Sequence, residues 1–153
     1  FYPENTVQEL NLPEFEDKDV ILATGNFCIV ENIDQNNEKY SILKITLNDI
    51  IRFDTLNSNN LPASPILINM TAMVREDPKI DNEDVVIDVM TRNYIDQDNN
   101  NINITCYHLA STHYLTNVTA SVQKDSVLYI NGELMITDDE NIVHIHNVSF
   151  PEY

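Results

Sequence analysis

Glycine is nearly missing from this chain. Gly25 and Gly132 are the only two in 153 residues, against a usual frequency near 7 %. The glycine-rich loops that cradle phosphates therefore have nothing to be built from, and nucleotide-binding fingerprints are excluded. Positive charge is also scarce: 8 Lys and Arg stand against 25 Asp and Glu, a net charge of −17. Such a surface repels phosphate backbones and anionic membranes and favours basic protein partners or cations. No stretch approaches the roughly 18 to 20 apolar residues that span a bilayer as a helix. Cysteine is limited to Cys28 and Cys106. Both sit in apolar, strand-like runs, where buried free thiols are expected; one disulfide between them is the alternative.

What the chain does hold is Ile, Val and Leu, within a hydrophobic content of 42 %. That is enough for one domain with a core, or for a small domain with an extension, and excludes disorder throughout. Two full domains are not expected. Asparagine clusters such as Asn36-Asn37, Asn59-Asn60 and Asn99-Asn100-Asn101 fall where loops would be, and Asn is tolerated in turns. The start at Phe1 reads as that of a processed chain.

Along the chain, residues 1–19 carry Pro3, Pro13, Glu14, Glu16, Asp17 and Asp19 and read as an extended acidic leader. Val20 to Val30 and Tyr40 to Ile51 are β-branched and apolar, the second with alternation, so two strands are predicted around a turn at Asn32 to Asn37. Thr55 to Pro65 combines Asn, Ser and two prolines and makes the best linker. Residues 20–64 are thus a β extension with a linker, and a domain is expected over 65–153.

That domain is more orderly. Ile66 to Val74, Val85 to Asn93, Asn101 to His108, Ser126 to Ile136 and Asn141 to Phe150 are short β-branched runs with turn residues between them, including Asp77-Pro78 and Asp98-Asn99-Asn100. Ser111 to Lys124 differs: Leu115, Val118 and Val122 share a helical face, and Ser111 is placed to cap it. Three strands, a helix and two strands is the order of a five-stranded OB-type Greek-key barrel, a mainly all-β fold. Asn131-Gly132 carries a competing signal, since this pair favours a hairpin turn. A glycine bulge inside one bent strand is the reading consistent with the barrel.

The residues also resemble a family. Ile66 to Ile80 (ILINMTAMVREDPKI) is similar to the opening of bacterial single-stranded DNA-binding proteins, where an apolar strand passes through a small residue into an acidic turn with proline. Gln123-Lys124-Asp125 followed by Val127 to Leu134 resembles that family's segment of paired lysines, strand and Glu-Gly-Arg-Leu, with Glu133 where the family usually has a basic residue. Asn141 to Phe150 matches the last barrel strand in pattern. The resemblance implies a non-enzymatic OB module of single-stranded-DNA-binding type, acting in a multi-subunit assembly. A self-associating or protein-interaction subunit without nucleic-acid binding, in one form secreted and glycosylated, is the alternative.

An OB barrel presents one face of its second and third strands, with aromatics for bases and cations for phosphates. With Val85, Ile87 and Val89 inward, the outward set is Asp88, Met90, Arg92 and Tyr94, joined by Asn103, Thr105 and Tyr107. Arg92, Tyr94 and Tyr107 are the candidate nucleic-acid residues, with Tyr129 extending the platform. Charge opposes them: residues 65–153 hold four basic and fourteen acidic side chains, a net −10, and single-strand binders depend on a positive groove. Protein partners or self-association are therefore expected ahead of autonomous nucleic-acid binding, with no membrane.

No nucleophile with its base and no divergent carboxylate pair stands out, so neither catalysis nor a cofactor is expected. His144 and His146, two apart on one strand face, could meet His108 or His113 as nitrogen ligands, but no Cys or acid sits at supporting spacing. Asp138-Asp139-Glu140 lacks the spacing of a calcium loop. No metal site is expected. Sequons occur at Asn69, Asn103, Asn117 and Asn147, a number near what such an Asn-rich composition yields by chance. An intracellular location is expected, with secretion as the alternative that would use these sequons and a Cys28–Cys106 bridge.

Overall fold

A computed structural model gives the fold; it describes residues 12–57, 59–61, 64–95 and 98–152, with the backbone alone for 93–95 and 98–100. The expected leader thus lies largely outside the described residues, as do positions 58, 62 and 63 of the expected linker. In chain order the elements are β1 (Val20–Ile33), β2 (Lys39–Phe53), β3 (Ile66–Val74), β4 (Lys79–Asp81), β5 (Asp84–Ile95), β6 (Asp98–Leu109), α1 (His113–Thr119), β7 (Val127–Ile136) and β8 (Asn141–Ser149). Contacts divide the chain into two compact units, one of Phe1–Phe27 with Lys44–Ala63 and one of Cys28–Leu43 with Ser64–Tyr153. No described helix is long and apolar enough to cross a membrane.

β3, β7, β8, β6 and β5 hydrogen-bond in that order, and a β3–β5 pairing closes them into a ring. This is the five-stranded OB-type barrel. All neighbours run antiparallel except β6 and β8, which meet in parallel over Thr105↔Ile142, Cys106↔Val143 and Tyr107↔His144. Alternation sends one side of every strand inward. Ile87, Ile104, Leu128, Ile130, Val143 and Ile145 are at most 2 % exposed, and the short β3–β5 pairing at Met73↔Met90 and Val74↔Val89 joins the two ends of the five-stranded sheet. Truncating any of them to Ala would leave a cavity, at a cost of about 2–5 kcal/mol.

Several local expectations change. A sixth strand, β4, forms from Lys79–Asp81 by pairing with β5 around a tight turn at Asn82, whose φ of 54° suits asparagine. Asp98-Asn99-Asn100 are strand rather than turn, since β6 already begins opposite Ile95. The helix is short. It starts at His113 behind Thr112 rather than Ser111, and no side chain caps it. Instead the Thr116 hydroxyl donates to the Ala110 carbonyl at 2.8 Å, tying the first turn back onto the loop. α1 packs on β8 and buries Leu115 and Thr119.

The Asn131-Gly132 conflict resolves as a bulge. β7 runs unbroken through both residues, and the register on β8 slips between Asn131↔Asn147 and Gly132↔Ile145. His146 is therefore the extra residue, and the slip bends the pair around the barrel. Gly132 is needed for space: a Cβ there would sit 2.3 Å from the His144 carbonyl oxygen.

β1 and β2 pair as a two-stranded sheet. Their connection is an Asx turn, with the Asp34 carboxylate accepting from the amides of Asn36 and Glu38 and Asn37 at a φ of 64°.

Candidate nucleic-acid interface

The outer face of β5 and β6 follows the expected alternation. Asp88, Met90 and Arg92 point outward on β5, and Asn103, Thr105 and Tyr107 on β6. Register sets their neighbours: Asp88 lies opposite Thr105, Met90 opposite Asn103, and Val86 opposite Tyr107. The Thr105 hydroxyl donates to the Asp88 carboxylate at 3.1 Å, which pins a negative charge at the middle of this face.

The candidate residues are not gathered in one place. Arg92 is exposed, yet it stands six positions along β5 from the residue opposite Tyr107, about 20 Å at strand rise. Tyr94 lies on β5, but its side chain falls outside the described residues. Tyr129 is half exposed on β7, between Thr71 and Ser149. β8 separates it from β6.

What the fold brings together is a different set. The parallel β6–β8 contact places Tyr107 beside His144, with ring centroids 5.0 Å apart and planes 20° from parallel. His146 meets the edge of His144 at 5.5 Å and 88°, and the Tyr114 hydroxyl donates to the His146 carbonyl. A stacked pair extended by an edge-on ring is a favourable aromatic arrangement, and its outer surface offers ring faces to a planar ligand. Sequence reasoning singles out Tyr107 for this role and misses His144 and His146. Their i, i+2 spacing is the signal, but nothing in the sequence pairs β8 with β6.

The imagined histidine ligand set does not form. His108 points into the barrel and is fully buried. Its Nδ1 donates to the Leu109 carbonyl at 2.9 Å, and its Nε2 lies 3.1 Å from the Thr119 hydroxyl. Both nitrogens are engaged by the protein. His113 is exposed at the start of α1. No group of three or more His, Cys, Asp or Glu among the described residues is placed to hold a metal ion.

Electrostatics in the larger unit follow the sequence charge. A cleft of about 250 Å³ is lined by Glu31, Arg75, Asp88, Asn103, Thr105, Asp139 and Glu140, among others. A larger cleft, about 860 Å³, joins Glu31, Asp34 and Glu38 to Asp138, Asp139 and Glu140, with Lys39 as its basic residue. Asn141 lines both, and its buried Oδ1 accepts no hydrogen bond. Outside the clefts Glu76 pairs with Lys79 at 2.8 Å, which holds the glutamate below its ordinary range and raises the lysine.

Cys28 and Cys106 are buried free thiols with no bond between them. Burial, with a smaller contribution from the Asp88 charge, pushes the Cys106 thiol far above its ordinary range. The four sequon asparagines, Asn69, Asn103, Asn117 and Asn147, are all exposed.

No protein-family model and no curated protein sequence matches the chain. Solved structures match its fold. A small single-stranded DNA-binding protein from Streptomyces coelicolor superposes with a TM-score of 0.51 at 11 % identity, over 59 % of this chain and 96 % of that one. The wild-type single-stranded DNA-binding protein from Thermus aquaticus gives 0.54 at 11 %, over 88 % of this chain and 60 % of its own. A deletion mutant of the Thermus aquaticus protein gives 0.56 at 12 %, over 88 % and 62 %. The chain thus has the OB fold in the form found in single-stranded DNA-binding proteins, and it spans about 60 % of the Thermus aquaticus chain.

Proposed function

We propose that residues 65–153 form a non-enzymatic OB binding module that takes single-stranded nucleic acid by stacking on bases rather than by holding phosphates, within a multi-subunit assembly. The observation that carries this reading is the ring row Tyr107–His144–His146 on the outside of β6 and β8, on a barrel whose structural likenesses bind single-stranded DNA. Stacking is worth about 1–3 kcal/mol per base and is tolerant of sequence. Arg92 is then the phosphate contact at the far end of the face. With so few cations in reach, affinity is low and falls only weakly with salt. Partner subunits that carry basic residues would strengthen it.

Anisotropy titration of labelled oligonucleotides at low salt tests the proposal. Weak saturable binding with a log K against log salt slope of about −1 is expected. No binding at high protein concentration, or binding unchanged when Tyr107, His144 and Arg92 are replaced, rejects direct recognition.

A second reading rests on the acidic clefts. Glu31, Asp88, Asp139 and Glu140 surround the smaller one, a charge pattern that suits a basic polypeptide segment better than a phosphate chain. In that case the barrel is a protein-interaction or self-associating subunit. A lysine-rich peptide would bind, and Asp88→Asn with Glu140→Gln would weaken it while leaving oligonucleotide binding unchanged or stronger.

A further inference from the structure

The two glycines sit at equivalent places in two hairpins. A Cβ on Gly25 would lie 2.1 Å from the Thr46 carbonyl oxygen, as one on Gly132 would lie 2.3 Å from that of His144. Each glycine lies five residues into its strand, β1 from Val20 and β7 from Val127. The approaches to the strands also coincide. Lys18 and Asp125, two residues before the strands, both have positive φ, 75° and 66°. The Asp19 amide donates to the Glu16 carbonyl as the Ser126 amide donates to that of Gln123. In return the Glu16 amide bonds to the Asp19 carboxylate, and the Gln123 amide to the Ser126 hydroxyl.

The returning strands repeat in the same way. Asp49 Oδ1 accepts from the Ile50 amide at 2.9 Å, and Asn147 Oδ1 accepts from the Val148 amide at 2.9 Å. Ile50 and Val148 are each 3 % exposed. Hairpin β1–β2 is the longer one, with 21 residues from Gly25 to Thr46 against 12 from Gly132 to His144. Its anchor points are otherwise those of β7–β8.

We infer that Glu16–Phe53 is the closing hairpin of a second OB barrel, whose three remaining strands and helix stand ahead of it in the same polypeptide. The complete barrel shows what covers such a hairpin. Leu128, Ile130, Val143 and Ile145 face β3, β5 and β6 and are at most 2 % exposed. Their counterparts Ile21, Ala23, Ile45 and Leu47 are apolar too. Yet Ala23 is exposed, Ile45 is 42 % exposed, and Ile21 and Leu47 are half-buried. Phe15 is 46 % exposed where its counterpart Val122, under the helix end, is 7 %. An isolated two-stranded sheet is marginal in water, so this apolar row calls for a sheet.

Chain order says which sheet. In an OB barrel the hairpin follows its three strands and helix, and the turn at Glu16–Asp19 is the one that leads from helix to hairpin. Two further facts agree. Phe1–Phe27 with Lys44–Ala63 form a compact unit of their own. The Thermus aquaticus likenesses cover 88 % of the chain, more than residues 64–153 can supply.

Hydrogen exchange read by mass spectrometry tests this on the 153-residue chain and on the chain extended by its native upstream residues. In the shorter chain, amides of Val20–Phe27 and Lys44–Phe53 exchange about 100-fold faster than those of β7 and β8. Extension slows them to the rate of the barrel, and Gly25→Val in the extended chain abolishes that gain while leaving residues 64–153 protected. Equal protection of both hairpins in the shorter chain overturns the inference. So does protection that rises with protein concentration, which identifies a second copy as the cover, and so does a gene that encodes nothing ahead of Phe1. Each of these outcomes is independent of whether the barrel binds oligonucleotides.

Discussion

Tyr107 and His144 come from strands that are neighbours only because β6 and β8 run in parallel, and their rings stack 5.0 Å apart at 20°. Replacing either ring removes one of the three rings of the proposed platform. Tyr107→Ala or His144→Ala is expected to weaken oligonucleotide binding by about 1–3 kcal/mol, roughly 5- to 150-fold. Tyr129→Ala has a smaller effect, since β8 stands between it and the pair. Titration of the three variants under one salt condition ranks them, and an equal loss in all three would place the contact elsewhere.

Gly132 lets the two strands of the last hairpin approach at the bulge. An alanine methyl there meets the His144 carbonyl and Val143 Cγ1, both fixed by the barrel. Gly132→Ala should destabilise the fold by about 1–3 kcal/mol or more, the usual cost of overpacking. Urea unfolding followed by circular dichroism measures it; unchanged stability would mean that the bulge relaxes freely.

His108 ties α1 to the strand that precedes it. Its ring is fully buried between the Leu109 carbonyl and the Thr119 hydroxyl. His108→Ala opens a cavity and takes the ring donor from the Leu109 carbonyl, while the Thr119 hydroxyl keeps its bond to the Leu115 carbonyl, for an expected loss of about 2–5 kcal/mol. Thr119→Val, which keeps the volume, should cost less. Thermal unfolding of the two variants separates packing from hydrogen bonding.

Cys106 should be inert in the folded chain. Burial holds its thiol protonated well above the ordinary range, and the thiolate is the reactive form. A thiol reagent at pH 8 is expected to label it only after denaturant is added, and labelling at a free-thiol rate would contradict the burial. Stability follows in sign. The folded state keeps the thiol neutral, so its contribution is whole below the unfolded pKa of about 8.5 and declines above it, by up to about 1.4 kcal/mol per pH unit. Unfolding free energies compared at pH 8 and pH 10 in Cys106→Ala and the parent would show the difference.

Much of the barrel is legible in the chain. Val85, Ile87 and Val89 alternate with Asp88 and Arg92, which marks the inward face of β5 by residue type alone. Leu115 and Val118 mark the helix between strands three and four, although it ends at Thr119, short of Val122. Sequence and structure part where short segments follow tertiary pairing. Lys79–Asp81 is too short and polar to announce a strand, and becomes one because β5 offers it an edge. The helix begins later than its sequence suggests because the Thr116 hydroxyl, bonded back to Ala110, takes over the work expected of a capping Ser111. The likeness of the two hairpins is hidden by nine additional residues between the anchors of the first. Its one visible trace is the spacing of the only two glycines.

The sequence by itself determined the β-barrel pattern, the acidity that disfavours a phosphate groove, and the candidacy of Tyr107. Those properties are local: alternation, charge count and residue type are read along the chain. Only the tertiary structure decided that Tyr107 stacks on His144, that His108 is an interior hydrogen-bonding group, and that Gly25 and Gly132 play one role twice. Each depends on which strands meet and in what register, within the ring for Tyr107, His108 and Gly132 and within the β1–β2 hairpin for Gly25.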